Sequence, residues 1–217
     1  MAGLLGERPV VIPTGDGLRL EGLFSRPAGQ ALGAALVLHP HPLYGGNMHN
    51  NVVQALCDGA LAAGWAVLRI NFRGVGGSTG QHDQGRGERE DARAALDWLR
   101  REVPGPLALM GYSFGARVAS LAAADLGELA AGVLVAPALV LGELGAWPEE
   151  AGPLLVVAGD RDQFTSQFGL RDYVAGLGAH ASLKNLTGAD HFLIGRESEL
   201  ATLTKQWLTQ PPQVEKM

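Results

Sequence analysis

The sequence predicts an α/β fold in which a mostly parallel sheet of about eight strands is flanked by helices on both faces. Short apolar runs alternate with longer amphipathic segments along the whole chain, the pattern of successive strand–helix–strand units. The runs are continuous rather than alternating, as in strands buried on both faces. The composition is that of an ordinary globular protein, 217 residues with 47% hydrophobic and 18% charged. A chain of this length can bury a substantial core. One domain over residues 1–217 is the expectation.

The elements follow in order. "RPVVIP" and "LRLEGLFSRP" flank the turn "TGDG" and read as a hairpin, which puts one antiparallel neighbour at a sheet edge. "AALVLH" is a short buried strand. Residues 47–63 read as a helix that Gly64 ends. "WAVLRINF" is the next strand, closed by the glycine-rich "RGVGGSTG". Residues 88–102 have helical period, with Ala92, Ala95, Leu96 and Leu99 on one face. The strand "PLALMG" leads directly into a helix, "SFGARVASLAAADL". "AGVLVAP" and "PLLVVAG" are strands. Residues 166–177 suggest a helix, "ASLKNL" the last strand, and residues 197–208 the last helix. The tail "TQPPQVEKM" is expected to fray. No internal repeat, low-complexity tract or linker divides the chain.

The chemistry centres on "MGYSFGA". Ser113 stands between Gly111 and Gly115, after a strand and at the start of a helix. A sharp strand-to-helix turn projects the serine Oγ above the sheet, and small residues two before and two after avoid clashes. A serine needs a base, and the base needs an orienter. With this turn the acid follows a late strand and the histidine follows the last one. "LLVVAGDRDQF" supplies Asp160 and Asp162, and "LTGADHFL" supplies His191. Asp160 lies in the turn itself, where a short acid bonds loop N–H groups. Asp162 is therefore the preferred orienter. Asp190 reads as a solvated or loop-bonding neighbour.

Acyl transfer also needs two N–H donors for the developing oxyanion. One is expected from Phe114, the residue after the serine. The other is expected from the loop "HPHPLYGGN". Pro40 and Pro42 have no N–H to give. His41 N–H is the first choice and Leu43 N–H the second. Gly45 and Gly46 let the loop turn back into its helix, and His39 can hydrogen-bond beneath it. The His-x-His spacing also fits a pair of metal ligands, but no third ligand lies at a usual spacing, so no metal is expected.

Other classes are set aside on composition and spacing. The net charge of −5 carries no basic patch, so nucleic acid is not an expected partner. The longest apolar stretch is too short for a bilayer and contains a proline, so no membrane is expected. "MAGLLGERPV" has no basic start and no long apolar run, hence no signal peptide. The single cysteine, Cys57, fits a reducing compartment, here cytoplasmic, and a small core residue. "NFRGVGGSTG" matches no phosphate-binding loop, so no cofactor is expected, and Arg73 reads as a tie between loops.

With these residues in hand, the chain resembles the α/β-hydrolase superfamily. It is most similar to a group of small lidless bacterial serine hydrolases or esterases with a His-Pro-His-Pro-x-x-Gly-Gly loop, an Asn-Phe-Arg-Gly loop and Gly-Tyr-Ser-Phe-Gly. Those motifs stand at residues 39–46, 71–74 and 111–115. The resemblance runs from about residue 10 to residue 208 and is specific for the fold, though not for the substrate. It implies Ser113 as nucleophile, His191 as base and Asp162 as acid. In this fold a cap is commonly inserted after the sixth strand, and "ALVLGELGAWPEEAG" is too short for a multi-helix cap. The expected activity is carboxylic-ester hydrolysis on a small-molecule substrate with a short acyl chain, by a monomer or homodimer at an open site. Thioesterase or small-peptide hydrolysis is the alternative within enzymes. A non-catalytic relative that binds a ligand is the alternative outside them.

Overall fold

The computed structural model describes residues 6–209. The expectation of a frayed tail falls largely outside them. The chain begins with β1 (Arg8–Pro13) and β2 (Arg19–Ser25), then β3 (Ala34–Leu38), α1 (Asn51–Ala62) and β4 (Ala66–Ile70). It continues through α2 (Arg86–Glu102), β5 (Leu107–Tyr112), α3 (Phe114–Ala122) and β6 (Ala131–Val135). It ends with β7 (Leu154–Gly159), α4 (Gln167–Leu177), β8 (Ala181–Leu186) and α5 (Glu197–Thr209). The strands make one eight-stranded sheet in the order β1-β2-β4-β3-β5-β6-β7-β8. β2 runs antiparallel to β1 and β4, and the remaining pairs are parallel. This is the α/β-hydrolase fold, with no cap among the described residues.

The burial of each strand follows from its place. Every residue of β3, β4, β5, β6 and β7 is buried, which explains why these strands are apolar but for Arg69 in β4, whose guanidinium donates to Met48 O and to Glu7 Oε1. β1, at the edge, alternates and buries only Val10 and Ile12. Successive side chains point to opposite faces. Leu36, Leu38, Leu68 and Leu109 pack with α2 and α3 on one face of the sheet. Val37, Val67, Met110 and Val133 pack with α1 and α5 on the other.

Helix starts are set by local hydrogen bonds more than by the hydrophobic period. α1 begins at Asn51, four residues later than the sequence suggests. The Asn50 side chain caps it by accepting from Val52 N–H at 2.9 Å, after a turn closed by Asn50 N–H on Asn47 O. α2 begins slightly earlier than expected, at Arg86. Gly85 precedes it at φ 96°, and Glu88 reaches back to accept from Gly85 N–H at 2.7 Å.

The segment where a cap is commonly inserted, residues 138–152, holds only short 3₁₀ turns, and its part around Trp147 is folded down. Trp147 is buried within the core cluster on the α2–α3 face, and its Nε1–H donates to Gly152 O at 2.9 Å. Its ring lies where a Cβ on Gly132 of β6 would stand. Gly145 N–H donates to Ser120 Oγ at 3.1 Å, and Tyr173 Oη–H donates to Gly145 O at 3.0 Å. The part around Gly145 and Trp147 is thus laid on the flank of the sheet, while Ala138, Val140 and Leu141 line the cleft at the ends of the parallel strands.

His39 ties two of the loops at those ends. It follows β3 and is fully buried. Phe72 N–H donates to His39 Nε2 at 3.0 Å. The ring proton therefore sits on Nδ1 and is donated to Pro40 O at 2.6 Å. The neutral ring joins the β3–α1 loop to the β4–α2 loop. Burial brings its pKa down from 6.5 to about 4, against the opposing bond to Pro40.

Two outcomes are expected. Gly132→Ala drives a methyl into the Trp147 ring, and overpacking of this kind destabilises by about 1–3 kcal/mol. Thermal melting should show a Tm lower by several degrees. An unchanged Tm would mean that the ring is not held there. For His39, the unfolded ring takes a proton near pH 6.5 and the native ring only near pH 4. Stability from the neutral ring is thus complete above about pH 6.5 and is lost as pH falls toward 4, by about 3 kcal/mol in all. Urea midpoints at pH 7 and pH 5 should therefore differ less in His39→Gln than in the native chain.

Candidate active site

The site begins with a backbone constraint. β5 reverses into α3 at Ser113, which sits at φ 55° and ψ −112°. A non-glycine residue held there is strained by about 1–3 kcal/mol. Its neighbours explain the glycines. A Cβ on Gly111 would overlap the Gly115 carbonyl, and a Cβ on Gly115 would overlap the carbonyls of Leu38 and His39. Larger residues would push α3 away from the ends of β3 and β5. Ser113 N–H donates to Val135 O at 2.8 Å, and Ser113 O accepts from Arg117 N–H at 3.1 Å. Both backbone groups are therefore engaged and Oγ is left to face the cleft.

His191 arrives from the β8–α5 loop, and its Nε2 lies 3.0 Å from Ser113 Oγ. Asp162 arrives from the β7–α4 loop, and its Oδ2 lies 2.8 Å from His191 Nδ1. The Asp162 carboxyl group is fully buried and His191 nearly so. An ionised carboxylate only accepts, so the ring proton belongs on Nδ1. Nε2 is left bare toward the serine hydroxyl. Asp162 Oδ1 accepts from Phe164 N–H at 2.8 Å. Asp160 faces elsewhere and accepts from Gly188 N–H at 2.7 Å. Asp190 accepts from Phe192 N–H at 3.0 Å. Tyr112 Oη–H donates to His191 O at 3.0 Å, pinning the histidine loop to the residue before the serine. Nothing in the sequence marked Tyr112 for this, because the contact spans 79 positions.

The "HPHPLYGG" loop forms a 3₁₀ turn over Pro42–Tyr44. Tyr44 N–H and Gly46 N–H both donate to His41 O at 3.1 Å. A Cβ on Gly46 would overlap the carbonyls of Pro40 and His41, so the tight return needs glycine. Leu43 N–H is occupied by His41 Nδ1 at 3.2 Å. Among the described residues, no acceptor is bonded to His41 N–H or to Phe114 N–H, the first of the unpaired amides of α3. Of the two candidate donors in this loop, His41 is the free one.

The side chains behind those two amides pack on each other. The rings of His41 and Phe114 have centroids 4.9 Å apart, and His82 contacts both at 4.9 and 5.3 Å. His82 Nδ1 lies 2.7 Å from Glu88 Oε1, out of line for a hydrogen bond. Glu88 is fully buried and also accepts from Asp83 and Gly85 N–H at 2.9 and 2.7 Å. Burial first, and His82 second, lower the pKa of His41, with Glu88 opposing. His82 and Glu88 were missed in the sequence, where only the capping spacing of Gly85 and Glu88 was there to be read.

The other motifs serve the scaffold. Arg73 Nε and Nη2 donate to Asp91 Oδ1 at 3.0 and 2.8 Å, and Nη1 donates to Asp16 Oδ2 at 3.0 Å. It ties the β4–α2 loop to α2 and to the β1–β2 turn. Asn71 accepts from Met48 N–H at 2.9 Å and donates to Glu21 Oε2 at 2.7 Å. Cys57 is buried in the core, and that burial pushes its thiol up to about 12. Among the described residues, no group of three or more His, Cys, Asp or Glu side chains is gathered as for a metal. No helix among them is long and apolar enough to cross a membrane. Above Ser113 lies a cleft of about 580 Å³ whose lining contains no Lys, Arg, Asp or Glu.

This arrangement has relatives. Residues 34–216 match the family described as "alpha/beta hydrolase domain". An uncharacterized protein of Rickettsia prowazekii (strain Madrid E) is 35% identical over 213 residues, 92% of this chain and 88% of that protein. An alpha-beta serine hydrolase homologue from Coxiella burnetii is 32% identical, with a TM-score of 0.85 over 94% of this chain and 99% of that one. A serine hydrolase without lid from Xanthomonas campestris is 30% identical, with a TM-score of 0.83 over 98% and 100% of the two chains. The family match covers most of the chain and all the loops that build the cleft, so the protein belongs to the alpha/beta hydrolase domain family.

Proposed function

We propose that this hydrolase is a serine carboxylesterase that acts on small esters with short acyl chains. The observation that carries the reading is the unbroken run from Asp162 Oδ2 to His191 Nδ1 at 2.8 Å and from His191 Nε2 to Ser113 Oγ at 3.0 Å. His191 Nε2 takes the hydroxyl proton as Ser113 Oγ attacks the ester carbonyl. Asp162 holds the ring in the tautomer that leaves Nε2 free and stabilises the imidazolium that forms. The His41 and Phe114 amides receive the oxyanion. His191 returns the proton to the leaving alcohol, and water then releases the acid by the same steps in reverse roles.

The open cleft supports short acyl chains. No cap rises from residues 138–152 to enclose a long chain, so each added methylene gains little of the ~0.8 kcal/mol that full burial gives. With no lid to open, an oil–water surface has no closed state to shift. The lone, buried Cys57 and the net charge of −5 suit a cytoplasmic enzyme for small molecules.

Two experiments test this. A fluorophosphonate should label the native protein and leave Ser113→Ala unlabelled. On p-nitrophenyl esters from acetate to palmitate, the native protein should favour the short chains with no jump in rate when substrate aggregates. Near-native turnover by Ser113→Ala would remove the serine from the reaction. Separately, Asp162→Asn should lower kcat by about 10⁴, the size seen when an orienting acid becomes an amide in the chymotrypsin-type triad. Asp160→Asn, which loses only a loop bond, should lower it far less. The reverse ranking would make Asp160 the orienting acid.

A further inference from the structure

We infer that Phe164 and Phe192 form an aromatic clamp for the leaving alcohol, so that the enzyme selects esters by an apolar, preferably aromatic, alcohol group. The inference rests on the esterase reading above and names its substrate class more closely. Of the large apolar side chains that are exposed among the described residues, Tyr44, Val140, Leu141, Phe164 and Phe192 line the cleft. Phe164 and Phe192 are the two beside His191. Their ring centroids stand 4.9 and 5.8 Å from the imidazole, both edge to face, and 6.3 Å from each other. They line the cleft, yet they are 37% and 49% exposed. Each is placed by the loop that carries the catalytic group. Phe164 N–H donates to Asp162 Oδ1, and Phe192 N–H donates to Asp190 Oδ1.

The chemistry decides which half of the ester meets them. As the C–O bond of the tetrahedral intermediate breaks, His191 Nε2–H gives its proton to the departing oxygen, and the acyl group stays on Ser113 Oγ. The alcohol leaves neutral. Its oxygen must lie within about 3 Å of Nε2 for that transfer. Whatever is bonded to that oxygen therefore starts beside the two rings, while the carbonyl oxygen is held at the His41 and Phe114 amides. Half-exposed aromatic faces gain by shedding water against an apolar group and gain further from edge or offset contact with a ring. The absence of charged residues from the cleft lining leaves nothing there to neutralise an ionised alcohol group.

The test uses acetates of methanol, butanol and 2-phenylethanol, whose alcohols are poor leaving groups of similar strength, with acid release followed in a pH-stat. The kcat/KM ratio of 2-phenylethyl acetate to methyl acetate should be about tenfold or more in the native enzyme. It should fall to within about twofold of one in Phe164→Ala/Phe192→Ala. Phe168→Ala, outside the cleft lining, should keep the native ratio. Methyl phenylacetate against methyl acetate, which moves the ring to the acyl side, should show a smaller preference that the double variant leaves in place. Fluorophosphonate labelling reports that the double variant retains its site. Should it not label, Phe192→Ala alone must at least halve the ratio. A native ratio near one overturns the clamp, as does a high ratio that survives loss of both rings. Absence of both labelling and ester turnover in the native protein would overturn the esterase reading, and the clamp with it.

Discussion

The reversal of the chain at Ser113 is the constraint on which the rest of the site depends. One residue carries the direction change from β5 to α3, at a φ of 55° that costs about 1–3 kcal/mol. That conformation persists because its surroundings leave no alternative. β5 is buried along its whole length, α3 presses against the carbonyls that end β3, and Gly111 and Gly115 remove the side chains that would keep them apart. The close approach has two results at once. The serine hydroxyl stands clear of the sheet, and the first amide of α3 stays unpaired beside it. A looser turn could satisfy that amide within ordinary secondary structure, at the expense of the geometry that makes the serine accessible.

Around this rigid point, the loops are fixed by polar groups rather than by packing. His39 bonds to Phe72 N–H and to Pro40 O, Asn71 joins Met48 to Glu21, and Arg73 joins Asp91 to Asp16. Each of these groups is buried in a place where an unmet donor or acceptor would be expensive, which makes the loop positions specific. The β3–α1 loop gains most. Its prolines remove two amides, its own His41 ring occupies a third, and the His41 backbone amide is left without a partner among the described residues. Behind it, His82 lies between buried Glu88 and the His41 and Phe114 rings, so the two candidate oxyanion donors are braced against the same cluster.

The open strand ends have a specific cause among the described residues. Residues 138–152 are too few for a multi-helix cap, and Trp147 seats against the glycine at 132 and carries the later part of the segment onto the flank of the sheet, while Ala138, Val140 and Leu141 stay on the cleft. What remains above Ser113 is an uncharged cleft rimmed by half-exposed aromatic and aliphatic side chains. Such a site has no enclosure to hold a long chain and no ion to hold an acid. On the proposed reading, selectivity comes from the apolar surface near the reacting atoms, where Phe164 and Phe192 stand beside His191.

Much of this was legible in the sequence. The apolar runs identified the strands because a strand buried on both faces admits a polar residue only where it finds partners, as Arg69 of β4 does in Met48 O and Glu7. Gly111, Ser113 and Gly115 identified the turn because only small residues fit beside it. The order of Asp162 and His191 along the chain followed from which strands end at the same edge. Local bonds that override hydrophobic period were less visible: Asn50 delays α1, and Glu88 with Gly85 advances α2. The preference for His41 over Leu43 rested on the flanking prolines alone, and that the His41 ring occupies Leu43 N–H could not be read, because it depends on where that ring turns. Nor could Tyr112 on the His191 carbonyl, His82 between Glu88 and two distant rings, or Trp147 against Gly132. These contacts join residues that have no period or spacing in common. The sequence by itself determined which residue types the strand ends carry and in what order. Only the tertiary structure decided which of them meet, because the twist and order of the sheet bring together loops that are far apart along the chain.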